Sequence, residues 1–307
     1  MIQLEGITKS YNGRPILKPL DVDIPAGGIY GLLGPNGAGK TTTLRLLSRI
    51  ILPDAGAIYF NGEKYQERHV KQIGYMPEER GLYKEMSVLD QINYIGDLQG
   101  IKRREVVKRT ARLLNLFNLE GVLNQPIKRL SKGTSQKVQF ICTILHQPKL
   151  LILDEPFSGL DPVSSQALEK EILHLRDTGV AIILSTHRMD QVENICDKVC
   201  LLNQGVKMLE GRISEVKAHF KTGTYELTTD QVLNEVLLAK YNFVFRDKNN
   251  YRVSLQDNIE ASAFLQDILA DDISVQRFIE TSPTMNDIFI SIIKNNTIFS
   301  HPLSQTI

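Results

Sequence analysis

The sequence predicts an α/β domain built on a largely parallel sheet, followed by a small α+β domain. Two observations carry this. Strand-length apolar runs alternate with helix-period segments through most of the chain, the order that a parallel sheet with crossover helices requires. Near Phe220 the composition shifts, and the remaining elements read strand, helix, strand, strand, helix, strand. A length of 307 residues suffices for one large domain and one small one.

From the start, alternation over residues 1–24 is broken by Tyr11-Asn12-Gly13, a hairpin signal. Gly27 to Leu33 reads as a turn and a buried strand, and a glycine-rich loop then opens a helix from Lys40 to about Ile50. Ile58 to Phe60 and Ile73 to Met76 read as strands. From Val88 to about Phe117 the pattern is one helical stretch, with Leu89, Ile92, Ile95 and Leu98 on one face. Ser131-Lys132-Gly133-Thr134 reads as a polar loop opening a helix from Ser135 to Leu145. Strand Leu150 to Leu153, helix Val163 to Arg176, strand Val180 to Ser185 and helix Met189 to Cys196 follow.

Beyond the polar stretch "KTGTYELTT", the reading is strand 224–229, helix 231–240, strands 242–247 and 250–255, helix 258–270, strand 273–280 and helix 283–294. This is the split βαβ, or ferredoxin-like, pattern. The expected division is 1–220, with a helical part at about 85–145, then 221–296 and a loose tail at 297–307.

Composition bounds the function. Hydrophobic residues make up 42% and charged residues 23%, with a formal net charge of +1, so bulk electrostatic binding to nucleic acid is not expected. No stretch approaches the roughly 18 apolar residues of a membrane helix. The first five residues lack the basic start and apolar run of a signal peptide. A soluble, cytoplasmic protein is expected, any membrane role coming through a partner. The three cysteines suit buried, reduced thiols better than metal ligands.

The chemistry centres on "GPNGAGKTT", Gly34 to Thr42. Gly34, Gly39, Lys40 and Thr41 satisfy G-x-x-x-x-G-K-[ST] between an apolar strand and an apolar helix. Pro35, Asn36, Gly37, Ala38 and Thr42 complete a loop whose N–H groups can turn onto a β-phosphate. Lys40 is placed to reach the β- and γ-phosphates, and the Thr41 hydroxyl to ligate Mg²⁺. "LLILDEP" ends a strand in Asp154, placed to hold Mg²⁺ directly or through water. Glu155 follows and is placed to polarise an attacking water. "IILSTH" ends a neighbouring strand at His187, a candidate γ-phosphate contact. The Ser131–Thr134 loop is a second potential anion site, because helix N-termini offer free N–H groups and a favourable dipole.

Taken in order, the phosphate loop, "LSKGTSQ", "LLILDEP", "SGLD" and "STH" resemble the nucleotide-binding domain of ABC transporters, a P-loop NTPase fold with a helical subdomain. The resemblance spans Met1 to about Ile213. It implies two such domains facing head to tail around two ATP molecules, as a homodimer or with a paralogous ATPase subunit. Ser131, Gly133 and Thr134 would then hold the γ-phosphate of ATP on the opposite phosphate loop. It also implies that Tyr11 stacks on adenine, although a hairpin tyrosine can instead pack on its own sheet. Ser158 to Asp161 would cross the dimer interface, and Asp161 with Pro162 equally forms a helix N-terminus.

The sequence departs from the family pattern at two places. The usual L-S-G-G-Q has Lys132 for its first glycine and Thr134 for its glutamine. Glu78 stands where most members have a glutamine whose oxygen reaches Mg²⁺. "PEERGLY" and "IETSPTMNDIFISII" resemble single-domain ATPases of bacterial and archaeal exporters, including the sodium-extrusion type. The implied function is an ATPase subunit driving export through a separately encoded membrane permease, peripheral on the cytoplasmic face. The implied ligands are ATP and Mg²⁺, with no nucleic-acid partner. The alternatives are an importer ATPase whose C-terminal domain senses substrate, a soluble ABC ATPase, and a regulator that has lost hydrolysis.

Overall fold

The computed structural model describes every residue except Arg80, Thr222, residues 256–258, Asn296 and residues 300–307. It divides into two compact units, Met1–Ile213 with part of the segment after Asn295, and Ser214–Lys294.

The first unit opens with β1 (Ile2–Tyr11) and β2 (Arg14–Ile24), the expected hairpin. There follow β3 (Ile29–Leu33), α1 (Lys40–Leu47), β4 (Ala55–Phe60), β5 (Glu63–Lys64), α2 (Glu67–Val70), β6 (Ile73–Met76), α3 (Val88–Leu98) and α4 (Arg103–Leu116). Then come α5 (Lys132–Ile144), β7 (Leu150–Asp154), α6 (Pro162–Asp177), β8 (Ala181–Ser185), α7 (Met189–Ile195), β9 (Lys198–Asn203) and β10 (Val206–Arg212). After α8 (Ile213–His219), the second unit contains β11 (Thr224–Thr229), α9 (Glu235–Lys240), β12 (Asn242–Asp247), β13 (Asn250–Ser254), α10 (Ala261–Ala270), β14 (Val275–Glu280) and α11 (Met285–Asn295).

The main sheet of the first unit runs β10-β9-β3-β8-β7-β6. Strands β9, β3, β8, β7 and β6 pair in parallel, and β10 returns antiparallel to β9. Every residue of β3, β7 and β8 is buried. That is why these strands read as continuous apolar runs: a parallel sheet is covered on both faces. A second sheet, β2-β1-β4-β5, is antiparallel and alternates buried with exposed positions along β1. One apolar cluster joins Ile2, Leu20 and Phe60 of this sheet to Leu44 and Leu47 of α1 and to Leu32, Ile152 and Ile183 of the main sheet. Helix α1 is thereby anchored, and its N-terminus stands where β3 ends.

Three expectations change. The single helical stretch from Val88 to Phe117 is two helices. Gly100 turns to φ 68°, its N–H donates to Asp97 O and that of Ile101 to Gly96 O, the paired bonds of a Schellman stop. The polar loop at Ser131–Thr134 is mostly the first turn of α5. Ser131 caps it, its Oγ accepting the Thr134 N–H at 3.1 Å. Between Cys196 and Phe220 the sequence predicts no element, yet β9 and β10 form there around Gln204-Gly205, with φ 48° and 74°, a two-residue turn matched to strand twist.

In the second unit the sheet order is β12-β13-β11-β14, all antiparallel, with Phe264 and Ile268 of α10 and Leu237 of α9 in one cluster with Leu227, Tyr251 and Val253. This is the βαββαβ arrangement the element order predicts, followed by α11. Of the expected tail, residues 300–307 lie outside the described residues. Phe299 donates its N–H to Met208 O at 2.7 Å, so at that point the segment pairs with β10.

Candidate nucleotide site

The loop between β3 and α1 is shaped by glycine. Gly34 adopts φ 148°, and a Cβ there would stand 2.2 Å from Leu202 O, so no side chain fits. Gly37 adopts φ 78° with open space around it. Asn36 and Gly37 form an exposed crest, while Ala38 and Gly39 are buried beneath. The Lys40 ammonium folds back over the loop, donating to Gly34 O at 2.8 Å and Pro35 O at 3.1 Å. Burial pulls Lys40 below its ordinary pKa, against the opposing pull of the Glu155, Asp154 and Glu78 carboxylates. Lys40 and these three acids therefore share one electrostatic neighbourhood.

Asp154 ends β7 and is buried. The Thr41 hydroxyl donates to its Oδ2 at 3.2 Å, and the Ser185 hydroxyl at the end of β8 donates to its Oδ1. Thr41 and Asp154 offer adjacent hard oxygens, the donor chemistry Mg²⁺ prefers, and magnesium sites commonly combine few protein oxygens with phosphate oxygens. The described residues contain no cluster of three His, Cys, Asp or Glu side chains with metal-site geometry. The donor set thus fits a nucleotide-bound magnesium ion rather than an all-protein cage.

Glu155 stands at φ 50°, an uncommon conformation for a non-glycine residue and a strain of about 1–3 kcal/mol. Its N–H is tied to Ser185 O at 3.1 Å. Its carboxylate accepts the His187 N–H at 3.0 Å and the Thr186 hydroxyl at 3.3 Å, and meets His187 Nδ1 at 2.8 Å. The strained backbone turns Glu155 toward the residues that follow β8. A carboxylate held this way can accept a proton from water.

The structure brings together Gly34 to Thr42, Asp154, Glu155 and His187, with Glu78 in electrostatic reach of Lys40. Ser131, Gly133 and Thr134 sit elsewhere: among the described residues, no hydrogen bond joins them to the phosphate loop. Their helix is instead fastened behind Glu155, where Gln136 Nε2 donates to Pro156 O at 3.0 Å. Tyr11 ends β1, is 41% exposed, and lies 5.8 Å below the Lys9 ammonium. Asp161 caps α6, accepting the Ser164 N–H at 2.9 Å, with Pro162 in the first turn.

Sequence reasoning missed several supports. Ser185 and Thr186 precede His187 in "STH", and their hydroxyls at a strand end were the available signal. Gln136 follows the polar turn one helical turn on. Gly205 donates its N–H to Ala38 O at 3.0 Å and accepts the Lys18 N–H at 3.0 Å, clamping the phosphate loop between strands. The three cysteines are buried, and burial pushes Cys142 and Cys200 up to about 12.

A glycine-rich loop between a parallel strand and a helix, beside an Asp-Glu pair on the next strand but one, defines a P-loop ATPase cassette. Comparison with known proteins gives the family. The profile described as ABC transporter matches residues 17–158, and that described as ATP-binding protein DrrA1-3-like, C-terminal domain, matches residues 211–293. The uncharacterized ABC transporter ATP-binding protein YhaQ of Bacillus subtilis is 38% identical over 94% of this chain and 97% of its own. The lantibiotic transport ATP-binding protein SrtF of Streptococcus pyogenes is 34% identical over 68% of this chain and 90% of its own. A solved ATP-binding subunit of an ABC transporter superposes with a TM-score of 0.68 at 30% identity, covering 72% of this chain and 93% of that one. The chain belongs to the ABC transporter ATP-binding proteins. It is an ABC-type ATPase subunit that binds ATP.

Proposed function

We propose that this chain powers export through a separately encoded membrane permease, hydrolysing Mg·ATP at a site completed by a second cassette. Segment 1–220 is the ATP-binding domain, with residues 85–145 as its helical part, and 221–296 is an accessory domain. The observation that carries the reading is the junction of Thr41 with Asp154 and of His187 with Glu155 at the ends of adjacent parallel strands. The export direction rests on the relatedness to SrtF, named for lantibiotic transport, and on the DrrA-like C-terminal region.

In this reading Gly34 to Thr42 cradle the phosphates and Lys40 exchanges its loop carbonyls for phosphate oxygens. Thr41, Asp154 and Glu78 hold Mg²⁺, which neutralises phosphate charge. Glu155 polarises the attacking water and accepts its proton, and His187 keeps the carboxylate aimed while contacting the γ-phosphate. Tyr11 stacks on adenine. Ser131, Gly133 and Thr134 reach the nucleotide on the opposite subunit, and Ser158 to Asp161 cross between the two sites. ATP joins the subunits and hydrolysis releases them. No described helix is long and apolar enough to cross a membrane. In this reading attachment to the cytoplasmic face runs through the permease.

The decisive test is the mass of Glu155→Gln by light scattering, with and without Mg·ATP. A monomer that becomes a dimer only with Mg·ATP supports the shared site. Undiminished hydrolysis by this variant removes Glu155 from the mechanism. Direction is tested in inside-out vesicles carrying the co-purified permease: ATP-dependent uptake into the lumen means export, and ATP-dependent loss means import.

A further inference from the structure

Lys132 breaks a local rule. It occupies the first position of α5, at the positive end of the helix dipole, where a cation is disfavoured and the first turn holds no acidic residue. Among the described residues its ammonium forms no hydrogen bond or ion pair. Among the described residues the ammonium thus has no partner, whereas the stem has one.

The stem lies against Gly159. A Cβ built on Gly159 would meet Lys132 Cδ at 2.6 Å, Cγ at 2.8 Å and Cε at 3.0 Å. Gly159 has φ 76°, which glycine adopts without strain. The neighbouring contacts point the same way. A Cβ on Gly133 would stand 3.0 Å from Gly159 O, so the α5 backbone approaches the same turn closely. Gln136, one helical turn beyond Lys132 and on the same face, donates to Pro156 O. The turn itself begins at Glu155, whose carbonyl accepts the Ser158 N–H at 3.0 Å. The first turns of α5 and the segment from Glu155 to Leu160 are thus packed as one piece, with Gln136 at one end and the Lys132 stem at the other.

We propose that Lys132 is a positioning residue for hydrolysis, its aliphatic stem clamping Gly159 so that the α5 N-terminus and the turn behind Glu155 move together. The proposal rests on the reading of Glu155 as the group that polarises water. Among the described residues Lys132 forms no hydrogen bond or ion pair with the phosphate loop or with Glu155. Its loss lets the turn shift and misaims the carboxylate without altering how the chain grips its own nucleotide.

Steady-state hydrolysis by the full chain is measured for Lys132→Ala, which lacks the stem, and Lys132→Met, which keeps it without the charge. Lys132→Ala is expected to lower kcat by about tenfold with KM for ATP within about twofold, since small misplacements near a reacting centre cost rate rather than binding. Its Tm is expected to hold or rise, because a cation leaves the helix N-terminus. Lys132→Met is expected to restore most of kcat. Gly159→Ala is expected to lower kcat in the native chain and to lower it less beside Lys132→Ala, where the collision with Cδ is gone. A native kcat in Lys132→Ala overturns the clamp. Equal losses in Lys132→Ala and Lys132→Met overturn it too, by giving the work to the ammonium. Glu155→Gln measured alongside keeps the two readings apart: full activity there removes the role of Glu155, whatever Lys132 does.

Discussion

His187 Nδ1 lies 2.8 Å from Glu155 Oε1, and the same oxygen accepts the His187 backbone N–H at 3.0 Å. His187, two residues beyond β8, thus holds the carboxylate that follows β7 by both its ring and its main chain. Since β7 and β8 pair in parallel, with Asp154 opposite Ser185, the two strand ends deliver these side chains side by side.

Replacing His187 with alanine removes the ring contact but keeps the backbone one. We expect kcat to fall by roughly 10- to 100-fold, with a smaller change in KM. Combined with Glu155→Gln, the second substitution is expected to add little, because the two residues act as a unit. Single-turnover hydrolysis of the four proteins checks this.

Ser185 donates to Asp154 from the side opposite Thr41. Ser185→Ala frees the carboxylate to rotate, and the Mg²⁺ concentration for half-maximal hydrolysis is expected to rise about tenfold. Chelation of Mg²⁺ is expected to stop hydrolysis in both proteins. Titration of Mg²⁺ at fixed ATP measures the shift.

Gly34→Ala places a methyl group 2.2 Å from Leu202 O, at a φ of 148°. The loop and β9 must separate to admit it. Loss of ATP binding is expected together with a lower Tm, measured by equilibrium binding of a fluorescent nucleotide and by thermal unfolding. Gly37→Ala has open space but φ 78°, so a milder loss is expected there.

Glu210 is a buried carboxylate bonded to Lys198 and Lys207, each at 2.7 Å, and to the Tyr30 hydroxyl at 2.9 Å. Burial pushes its pKa up, but the bonds from the two lysines outweigh this and hold it below the ordinary value. Glu210 therefore contributes stability that is complete above the unfolded glutamate pKa and is lost as pH falls through the folded one. Glu210→Ala is expected to cost about 2–3 kcal/mol at pH 7, since two partly buried ammonium groups lose their partner. Glu210→Gln is expected to show a weaker fall of Tm below about pH 4.3 than the native chain.

Much of this molecule was readable along the chain, for physical reasons that differ by element. The candidate phosphate loop is nine consecutive residues, so Gly34 to Thr42 are legible as a unit without tertiary information. β3, β7 and β8 are continuous apolar runs because burial on both faces leaves no room for alternation. The strand-helix order after Phe220 set the βαββαβ unit. The stop at Gly100 was also local; helical periodicity continuing across it hid the break.

Other features belong to the tertiary structure alone. β9 pairs directly with β3, and this places the Gln204-Gly205 turn under Ala38 and against Ile16 and Lys18. Parallel pairing of β7 with β8 gives Asp154 the Ser185 hydroxyl and Glu155 the Thr186 and His187 donors. The fit of Lys132 on Gly159 joins the start of α5 to the turn before α6, two segments that nothing in their sequences connects. Periodicity and turn chemistry act over a few residues, so they specify which elements form and where they stop. Hydrogen bonds and steric contacts between distant segments follow from strand order and register, which exist only once the sheet has closed on its core.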